Sequence, residues 1–368
     1  MKAICQRDGL LTAFQLASAA IPTREVKPIL RNIKAVAEPG RCTLMATDLE
    51  LGIRLDVRGM TIQEPGEAIL PAARLFAILR EAQESELSLE ADDKACIVRG
   101  ESMEFEMPGE DPALFPDLPT FNEDKYHEVD PSTLRELIRR TVFAAAEGEG
   151  ARYAMTGVLW ELEDDKAKLV ATDGRRLSLV EGKAKAHGGH TTKGTTPLIP
   201  TKAMTLLERN LLPDGQTVRV CLRANEVLFR TDVAVIYSRL VEGRFPDYRQ
   251  VFPKKQAVKI PLSVGPFHSA VRQAAIMTDE ESKRVTFRFD NDRLTLQAQG
   301  AGTGRSKVQM PITYDGKPVD INFNPAYLVE MLKILPVEAE LTLDLVDGAT
   351  PALFRSGSHF SYLVMPLT

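Results

Sequence analysis

Two hydrophobic rhythms alternate along the chain. Residues 9–20 (GLLTAFQLASAA), 132–146 (STLRELIRRTVFAAA) and 264–277 (VGPFHSAVRQAAIM) place apolar side chains three and four positions apart, which predicts helices with one buried face. Residues 70–82 (LPAARLFAILREA), 199–211 (IPTKAMTLLERNL) and 323–335 (FNPAYLVEMLKIL) repeat that spacing just after a proline. Proline suits a helix start because its missing N–H would have no partner there anyway. Residues 86–93 (ELSLEADD), 217–231 (TVRVCLRANEVLFRT), 284–299 (RVTFRFDNDRLTLQAQ) and 339–346 (AELTLDLV) alternate apolar with polar and read as strands. Between strands, EDD (163–165) and DND (290–292) predict hairpin turns rather than paired catalytic carboxylates.

These elements recur. TLMATDLELGI starts at Thr43, KLVATDGRRLSL at Lys168 and TLQAQGAGTG at Thr295, a spacing far longer than that of solenoid repeats, which run to roughly 50 residues. Each copy has one helix-like segment at its opening and one proline-led segment later. The pattern predicts an α+β chain of three tandem copies, residues 1–125, 126–253 and 254–368. The boundaries fall near NEDKYHEVD (122–130) and VFPKKQAVK (251–259), both polar and turn-rich.

Composition narrows the chemistry. The 368 residues are 44% hydrophobic and 26% charged, ordinary for a globular protein, and no apolar run approaches a membrane span. The start MKAICQRDGLL breaks into charge too early for a signal peptide, so a cytoplasmic protein with no membrane partner is expected. The four cysteines, Cys5, Cys42, Cys96 and Cys221, are far apart and predict buried reduced thiols. His187 and His190 lie in HGGHTTKGTT (187–196), expected to be a solvated, mobile loop; no metal or other cofactor is expected. The net charge of −5 argues against coating nucleic acid over the whole surface but leaves room for a local basic track.

Two stretches invite a catalytic reading. GAGTGRS (300–306) resembles a nucleotide-binding loop, yet SKVQMPITY after it alternates like a strand, whereas a phosphate loop must lead into a helix. ATDGRRLSLV (171–180) puts an Asp-Gly step before two arginines, but its Thr-Asp pair recurs in the first copy, which marks scaffold first. An enzyme centred on Asp173 or on the 300–306 loop remains a rival, as does a monomeric peptide-binding scaffold.

ATDGRRLSLV, EGRFPDYRQVFP (242–253), KPILRNI (27–33) and the terminal YLVMPLT together resemble the beta subunit of bacterial DNA polymerase III, the sliding clamp. The resemblance spans the chain. It implies three clamp domains, each with two helices packed on two antiparallel sheets, and a head-to-tail homodimer closed into a ring. That ring is a non-catalytic processivity factor that encircles duplex DNA irrespective of sequence. It tethers the replicative polymerase alpha subunit, the clamp loader and repair polymerases.

Residue by residue, the resemblance implies DNA contacts at Arg24, Arg74, Arg80, Arg139, Tyr153, Lys202, Asn324 and Tyr327. Further cations on the inner helices are Arg7, Arg135, Arg140 and Arg272. A hydrophobic pocket for partner peptides is implied at Met155, Thr172, Gly174, Arg175, Arg176, Leu177, Pro246, Gln250, Val251, Pro351, Leu363, Val364, Met365, Pro366 and Leu367. Phe105 and Met107 would meet Ile276 and Met277 of another copy. Arg175 stands where relatives often carry His. The apolar chain end is expected to be a docked edge strand, part of the binding surface, or both.

Overall fold

The computed structural model describes residues 1–24, 27–148, 153–212, 215–254, 258–278, 283–300, 302 and 304–367. Among them are six α-helices: α1 (Arg7–Ser18), α2 (Ala72–Glu81), α3 (Pro131–Arg139), α4 (Thr201–Arg209), α5 (Val264–Ala275) and α6 (Pro325–Lys333). All six fall on the segments with helical spacing. α3 ends sooner than its spacing predicts, and Val142–Ala144 turn instead as a 3-10 segment. The Thr141 hydroxyl donates to the Leu137 carbonyl at 2.7 Å, taking an acceptor that a further helical turn would use.

Contacts divide the chain into two compact units, and the middle copy contributes to both. In the first unit, α1 packs on α2 and buries Leu10, Ala13, Phe14 and Ala17. This unit carries two antiparallel sheets. One has five strands in the order Met60–Glu64, Lys2–Gln6, Glu86–Ala91, Ala95–Arg99, Glu104–Pro108. The other has nine, because Ala234–Arg239 of the middle copy pairs with Leu51–Asp56 of the first, setting Ile236 opposite Ile53.

In the second unit, α5 packs on α6. Phe267 of α5 meets Phe287 edge-on at 6.4 Å between ring centroids and lies over Phe354 at 6.1 Å. An eight-stranded sheet joins the middle copy to the third, pairing Arg176–Lys183 with Phe360–Val364. A four-stranded sheet follows the order Gly304–Pro311, Arg293–Gly300, Val285–Asp290, Val319–Phe323.

The turns behave as read. Asp164, Asn291 and Asp292 all have positive φ between short antiparallel strands. Gly300 and Gly304 pair across a hairpin that returns as a strand, so the glycine loop precedes no helix. Two expectations change. Phe360–Val364 is an interior strand, held by Arg176–Lys183 on one side and Ala352–Ser356 on the other, rather than an edge. The 187–196 segment is exposed at seven of its ten residues, as a solvated loop would be, but it is anchored at two points: His190 is buried with its Nδ1 2.7 Å from His127 Nδ1. Thr192 is also buried, and its hydroxyl accepts the Leu162 N–H at 2.8 Å. Internal polar partners, which composition does not reveal, hold this glycine- and threonine-rich segment down.

Candidate functional site

The strands Lys166–Thr172 and Arg176–Lys183 are joined by a turn that explains the two arginines. The Asp173 carboxylate accepts the backbone N–H groups of Arg175 and Arg176 at 2.9 and 3.0 Å and the Arg176 Nε at 3.0 Å. The Thr172 hydroxyl donates to the Arg176 carbonyl at 2.6 Å and accepts the Gly174 N–H at 3.0 Å. Gly174 sits at φ +88°, a conformation that costs any residue with a Cβ. Both oxygens of Asp173 are engaged in holding the turn, which marks this carboxylate as architecture.

Arg176 is 8% exposed and fully committed. Its Nη1 donates to Glu330 of α6 and its Nη2 to the Phe143 carbonyl at 2.7 Å. The guanidinium lies 4.8 Å from the Tyr327 ring centroid and 5.6 Å from that of Phe143. Burial works against its charge, but Tyr362, Glu330 and Asp173 outweigh that and hold its pKa above the usual arginine range. Tyr362, buried behind it, donates its hydroxyl to the Tyr327 carbonyl at 2.9 Å.

The chain end runs alongside this turn. Leu177 stands opposite Leu363, and the Met365 N–H donates to the Arg175 carbonyl at 2.8 Å just beyond the ladder. Leu177 and Leu363 join Leu159, Val170, Leu198, Val241, Phe245, Tyr248 and Leu353 in one buried cluster. Met155 is 8% exposed, and a Cβ placed on Gly174 would lie 3.9 Å from its thioether. Against this buried floor, Met365 and Val251 are each 40% exposed, as apolar as core residues yet facing water.

The segment carrying Val251 is pinned from below. Tyr248 is buried with its hydroxyl on Glu161 at 2.9 Å; burial, then the Glu161 charge, raises its pKa above the ordinary range. Arg249 pairs with the same carboxylate at 2.5 Å, and Gln250 bonds Asp247 at 2.8 Å. Pro246, Pro351, Pro366 and Leu367 are half-buried and Val364 is fully buried. The Leu367 N–H bonds the Asn322 carbonyl at 2.8 Å.

The sequence reading named Thr172–Leu177 and Leu363–Leu367 but missed what supports them: Phe143, Glu161, Tyr248, Glu330 and Tyr362. Tyr248 and Tyr362 lay inside quoted motifs, where a buried aromatic with a polar tip was the available signal. Nothing in sequence spacing ties Glu330 to a turn 154 positions away.

The residues expected at DNA are placed unevenly. Arg24, Arg74, Arg80, Arg139, Arg272 and Lys202 are exposed, although Arg80 pairs with Glu81 at 3.0 Å and Lys202 with Asp48 at 2.6 Å. Arg7 is turned to structural use, donating to the Leu79 and Ala82 carbonyls at the end of α2. Arg140 likewise is drawn inward, paired with Glu136 at 2.6 Å and lying over the Phe360 ring. Asn324 caps α6 by accepting the Ala326 N–H at 3.0 Å, and Tyr327 is half-buried beside Arg176. The Tyr153 side chain lies outside the described residues.

Of the apolar residues expected at a contact between copies, Ile276 is 71% and Phe105 44% exposed, while Met277 is half-buried. Met107 is only 4% exposed and faces the core of its own unit, which leaves Phe105 as the exposed apolar residue of that strand. The four cysteines are free and buried. Among the described residues no cluster of three His, Cys, Asp or Glu is placed to hold a metal ion, and no helix is long and apolar enough to cross a membrane.

Known proteins share this plan. The N-terminal, central and C-terminal domain profiles of the DNA polymerase III beta subunit match residues 1–119, 128–247 and 249–368. The chain is 30% identical over 377 residues to the beta sliding clamp of Caulobacter vibrioides and 28% over 370 to that of Escherichia coli, covering all of each. The crystal structure of a sliding clamp from Bartonella birtlesii, bound to griselimycin, superposes with a TM-score of 0.90 at 28% identity, over 100% of this chain and 99% of that one. The three-copy fold and the full-length matches together show that the chain belongs to the DNA polymerase III beta subunit family, the sliding clamps, which are non-catalytic processivity factors.

Proposed function

We propose that this clamp acts in the cytoplasm as a head-to-tail homodimeric ring around duplex DNA. It tethers the replicative polymerase alpha subunit, the clamp loader and repair polymerases through the pocket built on Thr172–Leu177 and Leu363–Leu367. The observation that carries the reading is Met365 and Val251, exposed and apolar and only two and three residues along the chain from Leu363 and Tyr248 of a buried cluster, which would make them its lip. Such a lip suits a short extended peptide with two apolar anchors. Methionines at Met155 and Met365 suit several partners, because an unbranched thioether adapts its shape.

Ring closure has its own support. Residues 1–125, 126–253 and 254–368 act as three domains, already joined twice by continuous sheets of nine and eight strands. The five- and four-stranded sheets remain, and joining them between copies would make a third seam of similar width. Their free edges are complementary: Glu104–Pro108 carries Glu104 and Glu106, whereas Gly304–Pro311 carries Arg305 and Lys307. Phe105 lies on the first edge. Ile276 follows α5, which the second edge packs against, the Ser306 hydroxyl meeting the Ala274 carbonyl at 2.8 Å. A repeated contact of this head-to-tail kind closes into a ring and consumes exposed strand edges. Duplex DNA inside would meet Arg24, Arg74, Arg80, Arg139, Lys202 and Arg272 through phosphates, weakly and with strong salt dependence.

Calorimetric titration with an acetylated, amidated Gln-Leu-Ser-Leu-Phe peptide tests the pocket. Wild type should bind with a dissociation constant of roughly micromolar order, and the Met365→Ala, Val251→Ala variant should lose about tenfold or more. Equal affinity in both proteins would refute the pocket.

A further inference from the structure

The two histidines of HGGH (187–190) are put to different uses. Gly188 and Gly189 sit at φ +61° and +72°, and the His190 N–H bonds the His187 carbonyl at 3.1 Å. Two successive positive φ values make a mirror-image turn, which glycine adopts at little cost. Just before it, Lys185–His187 is a three-residue edge strand on Tyr126–Val129, at the end of the nine-stranded sheet. So short a strand makes few ladder bonds, and side chains must help to hold it.

On the outer face, His187 stacks on the Tyr126 ring at 4.8 Å, and its Nε2 lies 3.0 Å from the Glu128 carboxylate. A proton gained there makes an ion pair and strengthens the contact. The inner face is the opposite case. His127 is 0% and His190 8% exposed, and they meet Nδ1 to Nδ1 at 2.7 Å. The Leu222 N–H donates to His190 Nε2 at 3.2 Å, so His190 carries its proton on Nδ1 and donates it to His127. An added proton breaks a contact wherever it lands. On His127 Nδ1 it would oppose the His190 N–H. On His190 Nε2 it would turn to the Leu222 carbonyl at 3.3 Å, expel the Leu222 N–H and leave a buried charge.

The charges around the pair are committed elsewhere. Glu128, on the outer face with Lys185, serves His187 and Arg219, while Glu123 and Glu226 serve Arg223. Cys221 packs with Phe121 and Leu228, and Asp124 and Lys125 are exposed. Burial lowers the His190 pKa from 6.5, and the Leu222 carbonyl only partly opposes it.

We propose that His127 and His190 form an acid-released latch: residues 185–191 stay docked while the two rings share one proton between their Nδ1 atoms, and detach from the sheet when either ring becomes charged. Once detached, a histidine takes its proton at about pH 6.5. Docking is therefore fully stable above that pH and weakens as the pH falls below it. Release uncovers the edge of Tyr126–Val129.

Hydrogen–deuterium exchange of the full chain tests the latch, read by mass spectrometry and corrected at each pH for the exchange rate of an unfolded chain. Between pH 7.5 and 5.0, protection of residues 185–191 should fall about tenfold or more, while α1 in the same unit keeps its protection within about twofold. His187→Gln should retain the drop, because the outer contact does not drive it. His190→Gln should remove the difference between the two pH values, by leaving the segment loose at both or docked at both. Four results would each overturn the latch: a wild-type drop below about twofold, a drop shared by α1, a drop lost in His187→Gln, or one that persists in His190→Gln.

Discussion

At the scale of single residues, the site is a lesson in reading charge by its partners. Asp173 looks like a nucleophile or general base in the sequence and is a turn-former in the structure. Replacing Asp173 with Ala removes the acceptor of two backbone N–H groups and leaves buried Arg176 one partner short. Urea unfolding should show a loss of about 2 to 3 kcal/mol. A change below about 0.5 kcal/mol would mean that the turn stands without it. The cysteines give a second prediction. Burial raises Cys5, Cys42 and Cys96 from 9.0 to about 12 and Cys221 to about 11. The folded chain thus keeps these protons where the unfolded chain releases them. Their contribution to stability is complete below pH 9 and declines as the pH climbs toward 12. At pH 8 a thiol reagent should label none of the four until denaturant is added, and rapid labelling of the native protein would contradict their burial.

At the scale of elements, the strand Phe360–Val364 allows folding to be tested apart from the proposed binding. It lies inside the eight-stranded sheet, so a chain cut before Phe360 should lose cooperative unfolding in the second unit. A chain cut after Val364 keeps the ladder and loses only Met365, Pro366, Leu367 and Thr368. Its melting temperature should fall by no more than about 4 to 8 °C, while titration shows peptide binding reduced about tenfold or more. Equal damage from both truncations would mean that the chain end is merely structural. All six helices and the hairpins were legible in sequence, because 3.6 and 2 residue periods and turn residues are local signals. The early end of α3 and the buried anchors His190 and Thr192 within residues 187–196 were not legible. Each depends on a hydrogen bond, Thr141 to Leu137 or Thr192 to Leu162, that periodicity does not register. The proposed pocket was suggested only by resemblance. Its two walls come from strands far apart in the chain, and exposure of Met365 beside buried Val364 cannot be read from apolar character alone.

At the scale of the whole molecule, the repeats convert one folding unit into a series of sheet seams, and two sheet edges are left for the proposed contact between copies. Ile276→Asp puts a charge on the apolar patch beside the free Gly304–Pro311 edge without touching the core. Sedimentation should show wild type at twice the chain mass at micromolar concentration and the variant at once that mass. A wild-type monomer would remove the ring and leave the peptide-binding scaffold. The central claim, that the clamp holds DNA by encircling it, has a direct test. The protein is loaded by its clamp loader onto nicked circular DNA, separated from free protein by gel filtration in high salt, and the circle is then cut once. A ring should co-elute with the circle and be released on linearisation. Retention on the linear product would mean that the protein binds the duplex surface, and would contradict encirclement.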